Sequence, residues 1–196
     1  MRKASIKRDT KETRISLELN IDGSGKYKVS TGCGFFDHML ELFALHGRFD
    51  LELTCEGDKH TGFHHTIEDS GICLGRAFDK ALSDRRGIAR YGSVMLPMDE
   101  SLVLACADIC GRALLCFDLD VPSERVGDFD SELLKEFLLS FTRCAGITLH
   151  LRKFAGENSH HIIECAFKAF ARAMRLAAAA DDGFLGEIPS TKGSIL

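Results

Sequence analysis

His64-His65-Thr66-Ile67-Glu68 recurs 96 residues later as His160-His161-Ile162-Ile163-Glu164. The residues in front of the motif recur as well, since Gly57-Asp58 precedes the first copy and Gly156-Glu157 precedes the second. Two copies at this spacing indicate a duplication into pseudo-symmetric halves, because a solenoid needs about three repeats or more. We therefore predict one domain over residues 1–196, with pseudo-repeats at about 1–88 and 89–180 and a tail at 181–196.

Around each copy of the motif, the hydrophobic pattern predicts the same order of elements: three strands, a helix, a strand and a helix. In the first half the strands are predicted at residues 4–10, 14–21, 27–31 and 49–55, and the helices at 35–47 and 64–85. In the second half the strands are predicted at 93–98, 101–109, 113–119 and 147–154, and the helices at 131–144 and 160–180. The order βββαβα, found twice, predicts an α+β fold in which helices cover one face of each sheet.

Composition and charge limit the classes of protein to which this chain can belong. The chain has 45% hydrophobic and 28% charged residues, which is typical of a globular domain with a buried core. A formal net charge of −4 offers no long-range attraction for nucleic acid or an anionic membrane, so an anionic substrate needs local cationic groups. No apolar run reaches the roughly 20 residues of a membrane span, and the first residues lack a signal-peptide core. We expect a cytoplasmic protein whose eight cysteines are free thiols.

The geometry of the repeated motif favours metal binding. Residues four apart share a helix face, so Glu68 neighbours His64 and Glu164 neighbours His160. Adjacent histidines point about 100° apart and are therefore suited to two different ions. Imidazole and carboxylate ligands together suit manganese, iron or zinc better than calcium or magnesium, and His38 on the preceding helix is a further ligand candidate. One such motif by itself favours two surface histidines beside a solvated glutamate, but its repetition in register favours a metal site.

Short segments along the whole chain together resemble the imidazoleglycerol-phosphate dehydratase family. Besides both motif copies, they comprise Thr10-Lys11-Glu12-Thr13, Gly34-Phe35-Phe36-Asp37-His38-Met39-Leu40, Arg90-Tyr91-Gly92-Ser93, Pro97-Met98-Asp99-Glu100, Gly111-Arg112, Ala145-Gly146-Ile147-Thr148-Leu149-His150 and Pro189-Ser190-Thr191-Lys192-Gly193. The resemblance implies a duplicated α+β fold of the ribosomal protein S5 domain 2-like type. It also implies two Mn²⁺ ions per active site, with other divalent transition metals as alternatives, and a homo-oligomer of 24 subunits with active sites between subunits.

The resemblance also assigns roles to the residues that match by position. The implied metal ligands are His38, His64, His65, Glu68, His160, His161 and Glu164. The implied phosphate-binding residues are Arg90, Arg112 and, on the tail, Ser190 and Lys192. Glu12 has an implied acid–base role in contact with the substrate. Arginine suits phosphate because its forked donors match the oxygens, while lysine adds a point charge.

The chain departs from the family pattern at three places. Glu136 stands where the family usually has a histidine ligand, Leu42 stands where it usually has glutamine, and Gly62-Phe63 replaces an acidic pair. We predict that Glu136 still acts as a ligand, because an unpaired carboxylate on such an apolar helix is costly. Its spacing agrees, since Glu136 precedes His160 by 24 residues and His38 precedes His64 by 26. The alternative is that Glu136 faces solvent.

The resemblance implies a hydro-lyase reaction that converts imidazoleglycerol phosphate to imidazole-acetol phosphate and water in histidine biosynthesis. The hydrogen to be lost is not next to a carbonyl, so the imidazole ring has to supply the electrons. Two metal ions on the ring nitrogens would stabilise an imidazolate, and Glu12 or a metal-bound water would move the protons. The residues by themselves leave two alternatives open: another di-metal enzyme such as a hydrolase, and a metal-binding cage without turnover.

Overall fold

A computed structural model describes residues 1–195 of the chain. The elements of the first half are β1 (Lys3–Asp9), β2 (Thr13–Asn20), β3 (Tyr27–Ser30), α1 (Gly34–Gly47), β4 (Asp50–Gly57) and α2 (His64–Leu82). Those of the second half are β5 (Tyr91–Met98), β6 (Ser101–Asp108), β7 (Leu114–Asp118), β8 (Arg125–Val126), β9 (Phe129–Asp130), α3 (Leu133–Ala145), β10 (Thr148–Ala155) and α4 (Ser159–Ala178). The predicted order βββαβα is thus present in both halves.

Each half forms a four-stranded mixed sheet of the same topology. The strand orders are β1-β2-β4-β3 and β5-β6-β10-β7. In each sheet one edge pair is parallel, β3 with β4 and β7 with β10, and the other neighbours are antiparallel. In β2 the side chains of Ile15, Leu17 and Leu19 are buried while those between them are exposed, as expected for a sheet covered on one face. The predicted α+β class is therefore confirmed.

The helices of one half pack against those of the other. α2 lies along α3, and α1 lies along α4, while α2 covers β1 and β2 and α4 covers β5 and β6. α2 approaches α3 closely at two glycines, since a Cβ atom on Gly71 would lie 2.6 Å from the carbonyl oxygen of Phe137. A Cβ atom on Gly75 would lie equally close, at 2.6 Å, to the carbonyl oxygen of Phe141. The absence of side chains at these positions lets the two backbones touch.

A short hairpin that the sequence pattern does not predict precedes α3. It consists of β8 and β9, and Asp128 lies in its turn. The Asp128 carboxylate accepts hydrogen bonds from the backbone N–H groups of Gly34 at 2.6 Å and Phe35 at 3.0 Å. These N–H groups belong to the first turn of α1 and have no partner within the helix. A loop of the second half therefore caps the helix that carries His38 in the first half.

The tail is bound to the segment that joins the two halves. The Nη1 atom of Arg85 donates to the carbonyl oxygen of Ile195 at 3.0 Å, and that of Arg90 donates to the carbonyl oxygen of Pro189 at 2.7 Å. Leu196, the last residue of the predicted tail, lies outside the described residues. All eight cysteines are free thiols, five of them buried. Among residues 1–195, no helix combines the length and the apolar composition that crossing a bilayer requires.

Candidate metal centre and cationic cavity

Both copies of the His-His-x-x-Glu motif stand at the N-terminal ends of long helices. α2 begins at His64, and α4 begins at Ser159, one residue before its first motif histidine. The side chain of Asn158 caps α4 by accepting from the backbone N–H groups of His160 at 2.9 Å and His161 at 3.3 Å. Each motif therefore presents its histidines in the first turn of a helix.

Three side chains from two helices form a cluster at the beginning of α4. The Nε2 atom of His160 lies 3.0 Å from Oε2 of Glu164, and the Nε2 atom of His38, on α1, lies 3.8 Å from the same oxygen. One ligand atom from each residue lies within 4.8 Å of the other two. Such a set of two imidazoles and a carboxylate fits a transition-metal ion, whose bonds to these ligands are about 2 Å long.

Lys168 holds the carboxylate of this cluster from the other side. Its Nζ atom lies 2.6 Å from Oε1 of Glu164, one helical turn earlier on α4. Burial raises the pKa of Glu164, but the hydrogen bonds from Lys168 and His160 outweigh it and hold the pKa below its usual value. The carboxylate is therefore ionised at neutral pH, as a metal ligand has to be.

The first motif repeats part of this arrangement. The Nε2 atom of His64 lies 3.7 Å from Oε2 of Glu68, in the same i,i+4 relation as His160 and Glu164. In each motif the rings of the adjacent histidines are nearly perpendicular, with interplanar angles of 86° for His64 and His65 and 83° for the second pair. The two rings of a pair therefore face different directions, as the helix geometry predicts.

The second histidine of each motif meets a carboxylate. The Nδ1 atom of His65 lies 3.0 Å from Oδ2 of Asp58, and the Nδ1 atom of His161 lies 2.7 Å from Oε2 of Glu100. These hydrogen bonds raise the pKa of both imidazoles. The bond from His161, together with the N–H group of Asn158, lowers the pKa of Glu100 to about 2.

Two further predicted site residues, Glu12 and Glu136, lie near the first motif or on the helix that packs against it. Glu12, in the β1–β2 turn, places Oε1 3.9 Å from Nε2 of His65. Glu136 lies in the first turn of α3, half-buried, and makes no hydrogen bond or ion pair with the rest of residues 1–195. Phe137, the residue after it, contacts α2 at Gly71, one turn beyond Glu68. Glu136 therefore stands at about the level of Glu68 on the neighbouring helix.

The four residues predicted to bind phosphate line one cavity. Arg90, Arg112, Ser190 and Lys192 surround a space of about 690 Å³. The Nε atom of Arg90 donates to Asp108 at 2.8 Å, and its Nη1 atom donates to the tail, which fixes the guanidinium in place. In the tail turn, the backbone N–H of Lys192 donates to Oγ of Ser190 at 3.2 Å. A rigid arginine and a lysine in a concave space suit a small anion.

Comparisons with known proteins identify the family of this chain. A family model described as imidazoleglycerol-phosphate dehydratase matches residues 31–174. A curated relative from Xanthobacter autotrophicus with that name is 53% identical over 195 residues, covering 100% of this chain and 99% of the relative. The chain belongs to the imidazoleglycerol-phosphate dehydratase family. A relative of the same name from Caldicellulosiruptor saccharolyticus is 50% identical over 190 residues, covering 97% of this chain and 96% of the relative.

Solved imidazoleglycerol-phosphate dehydratases share the fold. The crystal structure of the dehydratase from Staphylococcus aureus matches with a TM-score of 0.83 at 35% identity, covering 91% of this chain and 99% of that chain. The structure of the dehydratase from Pyrococcus furiosus in complex with (S)-C348 also has a TM-score of 0.83 and 35% identity, covering 96% of this chain and 99% of that chain. The resemblance noted from the sequence motifs is therefore confirmed at the level of family and fold.

In this dehydratase-family chain, the metal cluster and the cationic cavity lie at opposite ends of α4. His160 is in the first turn of α4, whereas the backbone N–H of Arg90 donates to the carbonyl oxygen of Ala177, in its last turn, at 2.9 Å. Seventeen residues separate His160 from Ala177, which at about 1.5 Å per residue is roughly 25 Å. One chain of this fold therefore brings the candidate metal-binding group and the cationic residues to two distant places.

The other departures from the dehydratase pattern are structural in this chain. Leu42 and Phe63 are half-buried and pack against the hydrophobic core. Gly62, with φ of 97°, has a backbone conformation that side chains rarely adopt. Leu42 and Phe63 thus pack against the core at positions where the family usually has polar residues.

Three polar residues of the site received no role from the sequence: Asp58, Glu100 and Lys168. Lys168 follows Glu164 by four residues, so helical spacing was the signal that could have identified it. Asp58 stands in the repeated Gly57-Asp58 pair in front of the motif. Glu100 lies 61 residues before His161, and no local spacing connects the two.

Proposed function

We propose that this protein is a hydro-lyase that converts imidazoleglycerol phosphate to imidazole-acetol phosphate and water in histidine biosynthesis. Family membership over the full chain supports this proposal. The observation that carries it is the combination of two kinds of site: a cluster of imidazole and carboxylate donors, and a cationic cavity closed by the tail. A substrate with a metal-binding ring at one end and a phosphate at the other requires both.

The donor set fits a pair of divalent transition-metal ions, and we propose manganese as the metal. One ion would be held by His38, His160 and Glu164, whose ligand atoms already converge. By the pseudo-symmetry of the halves, the other would be held by His64, Glu68 and Glu136, and the remaining motif histidines, His65 and His161, would complete the two sets. When bound, the metal ions supply Lewis-acid chemistry to the two nitrogens of the substrate ring.

The cavity residues would hold the phosphate. A guanidinium has five N–H donors, and three of those of Arg90 are engaged by Asp108 and Pro189. Two donors therefore remain for phosphate oxygens, on a side chain whose orientation is already set. Arg112, Lys192 and the hydroxyl of Ser190 would add further donors from other walls of the cavity. In this proposal residues 181–196 act as a substrate-binding tail behind the two pseudo-repeats.

Glu12 is the proposed acid–base residue. The reaction removes the hydroxyl group from the carbon attached to the ring and a hydrogen from the next carbon, and the enol that results becomes the ketone. The side chain of Glu12 is 54% exposed and lies next to His65, so it is free to meet a ring bound at the metal centre. It would take the proton from carbon and return one to the departing oxygen.

The separation of the two sites supports an active site shared between subunits. Only about five bonds of roughly 1.5 Å each join the ring of imidazoleglycerol phosphate to its phosphorus atom. Such a molecule cannot bridge the roughly 25 Å of α4 that separate His160 from the cavity at Arg90. We therefore propose a homo-oligomer, of 24 subunits as in the family pattern, in which the metal centre of one subunit faces the cavity of another.

An assay of the purified, manganese-loaded protein with imidazoleglycerol phosphate tests the function. The expected product is the ketone, formed together with one molecule of water. A His160→Ala variant serves as the inactive control, because His160 belongs to the metal cluster. Manganese binding without formation of the ketone, or hydrolysis of esters or amides in its place, would contradict the proposal.

A further inference from the structure

Each motif contains one histidine whose inner nitrogen meets a carboxylate. Nδ1 of His65 lies 3.0 Å from Asp58, and Nδ1 of His161 lies 2.7 Å from Glu100. A carboxylate accepts, so the neutral form of both histidines carries its proton on Nδ1 and leaves the lone pair on Nε2. Metal-binding histidines are generally held in this way, because the second hydrogen bond fixes both the tautomer and the orientation of the ring.

The two carboxylates come from positions that are not equivalent in the repeat. Asp58 follows the end of β4, and the residue that corresponds to it in the second half is Glu157, after β10. Glu100 instead precedes the first residue of β6, just as Glu12 precedes the first residue of β2. The duplication therefore predicts Glu157 as the partner of His161, and the structure has Glu100 in that place.

Hydrogen bonds to the backbone explain why Glu100, and not Glu157, meets His161. Oε1 of Glu100 accepts hydrogen bonds from the backbone N–H groups of Glu157 at 3.2 Å and Asn158 at 2.9 Å. Its other oxygen, Oε2, is thereby aimed at His161. The side chain of Glu157 is exposed and makes no hydrogen bond within the described residues. Glu157 thus contributes its backbone to the site and not its carboxylate.

We propose that Glu100 is the positioning residue that orients His161 for metal binding, in the role that Asp58 has for His65, and that the side chain of Glu157 has no part in it. The outward Nε2 atoms agree with this role. Nε2 of His161 faces Asp99 at 3.6 Å, and Nε2 of His65 faces Glu12 at 3.9 Å, so both open towards exposed acidic side chains at the surface of the subunit. The inference rests on the proposed function only in taking His161 as a metal ligand.

The decisive variant is Glu100→Gln. The carbonyl oxygen of glutamine still accepts from the N–H groups of Glu157 and Asn158, so the loop before α4 keeps its contacts. The amide nitrogen then donates to Nδ1 of His161, which places the imidazole proton on Nε2, where the metal has to bind. Glu100→Ala removes the partner altogether, and Glu157→Ala is the matched control.

The measurement is the affinity of the metal-free protein for Mn²⁺, in competition with a fluorescent chelator and without substrate. Loss of such a hydrogen-bond partner typically lowers metal affinity by about 10–100-fold. We expect a loss of that size for Glu100→Gln and Glu100→Ala and none for Glu157→Ala. In protein labelled with ¹⁵N-histidine, the ring nitrogens of His161 should show the proton on Nδ1 in the wild type and on Nε2 in Glu100→Gln.

Because the affinity for Mn²⁺ is measured without substrate, this test does not depend on catalytic turnover. Wild-type affinity in both Glu100 variants, a loss in Glu157→Ala, or an unchanged tautomer in Glu100→Gln would overturn the proposal, as would a wild-type protein that binds no Mn²⁺. A wild type that binds Mn²⁺ but forms no ketone would contradict the proposed function, while the order of affinities among the variants would still decide the role of Glu100.

Discussion

Nε2 of His38 lies 3.8 Å from Oε2 of Glu164, although the two residues belong to different halves of the chain. This contact exists because α1 packs against α4 of the second half. The pseudo-symmetric pairing is that of α3 with α2. Glu136 lies in the first turn of α3, and we propose it as the counterpart of His38, acting together with His64 and Glu68.

A Glu136→Ala variant should bind less manganese per subunit than the wild type. The lost carboxylate is one ligand of the proposed second ion, and Glu136→His should restore binding because imidazole suits the same metals. Elemental analysis after gel filtration measures both. Glu132→Ala, an exposed residue one turn earlier, is the control. Full metal content in Glu136→Ala would show that Glu136 is not a ligand.

Two defective variants should regain activity when their subunits are mixed. His160→Ala removes a metal ligand and Arg90→Ala removes a phosphate donor, so a hybrid interface can combine the intact parts of both. For a site shared by two subunits, random mixing should leave roughly a quarter of the sites complete. Mixing Arg90→Ala with Lys192→Ala should restore nothing, since both line the same cavity. If neither mixture is more active than the separate variants that compose it, each active site lies within one subunit.

Loss of a cavity cation should weaken the productive binding of substrate and leave the metal content unchanged. A hydrogen bond to a charged group contributes about 1.5–3 kcal/mol, which corresponds to roughly a 10–150-fold loss of kcat/KM for Arg90→Ala, Arg112→Ala or Lys192→Ala. Steady-state kinetics and metal analysis measure the two properties separately. Lys28→Ala, on the exposed side of the first sheet, is the control. Unchanged kcat/KM in all three variants would mean that phosphate binds elsewhere.

Removal of metal should reduce the size of the particle. If ligands from different subunits face one another, an empty site leaves neighbouring carboxylates, such as Glu68 and Glu164, without the cations that hold them together. Light scattering after chelation should give a smaller mass, and added manganese should restore the larger one. An identical mass with and without the chelator would separate metal binding from assembly.

The folded chain should become less stable in acid, because the ionised carboxylate of Asp50 stabilises it and becomes protonated at low pH. Burial raises the pKa of Asp50, but hydrogen bonds from the N–H groups of Ser24 and Lys26 and from Asn20 outweigh it and lower the pKa to about 2. A carboxylate whose pKa is lower in the folded state stabilises the fold at pH values above its pKa in the unfolded chain, about 3.9. This contribution is lost as the pH falls through the pKa of the folded state.

Asp50→Asn should therefore lower the free energy of unfolding at pH 7 by about 1–2 kcal/mol. The difference from the wild type should shrink between about pH 4 and pH 2, as followed by denaturant unfolding of the metal-free protein. Asp9→Asn, an exposed residue of the same sheet, should change stability by less than about 0.5 kcal/mol. A difference that stays constant down to pH 2 would exclude the charge of Asp50 as its cause.

The sequence by itself was sufficient for the fold class and the family. The order of strands and helices was predictable because hydrophobic periodicity is a local property, as the buried Ile15, Leu17 and Leu19 show. The hairpin around Asp128 was missed because its two-residue strands are too short to carry a period. Its importance comes from a contact with α1 that lies more than 90 residues away in the chain.

The candidate donors of the two motifs were also visible in the sequence, because the duplication repeats them at a fixed spacing. Which donors meet was decided by packing between the halves, since the faces of α1 and α4 bring His38 to Glu164. Packing likewise put Glu100 beside His161 in place of the residue that the repeat predicts. The length of α4 then keeps the metal cluster apart from the cavity at Arg90. The spacing of residues along the chain does not predict these distances, because they depend on how the surfaces of distant segments pack together.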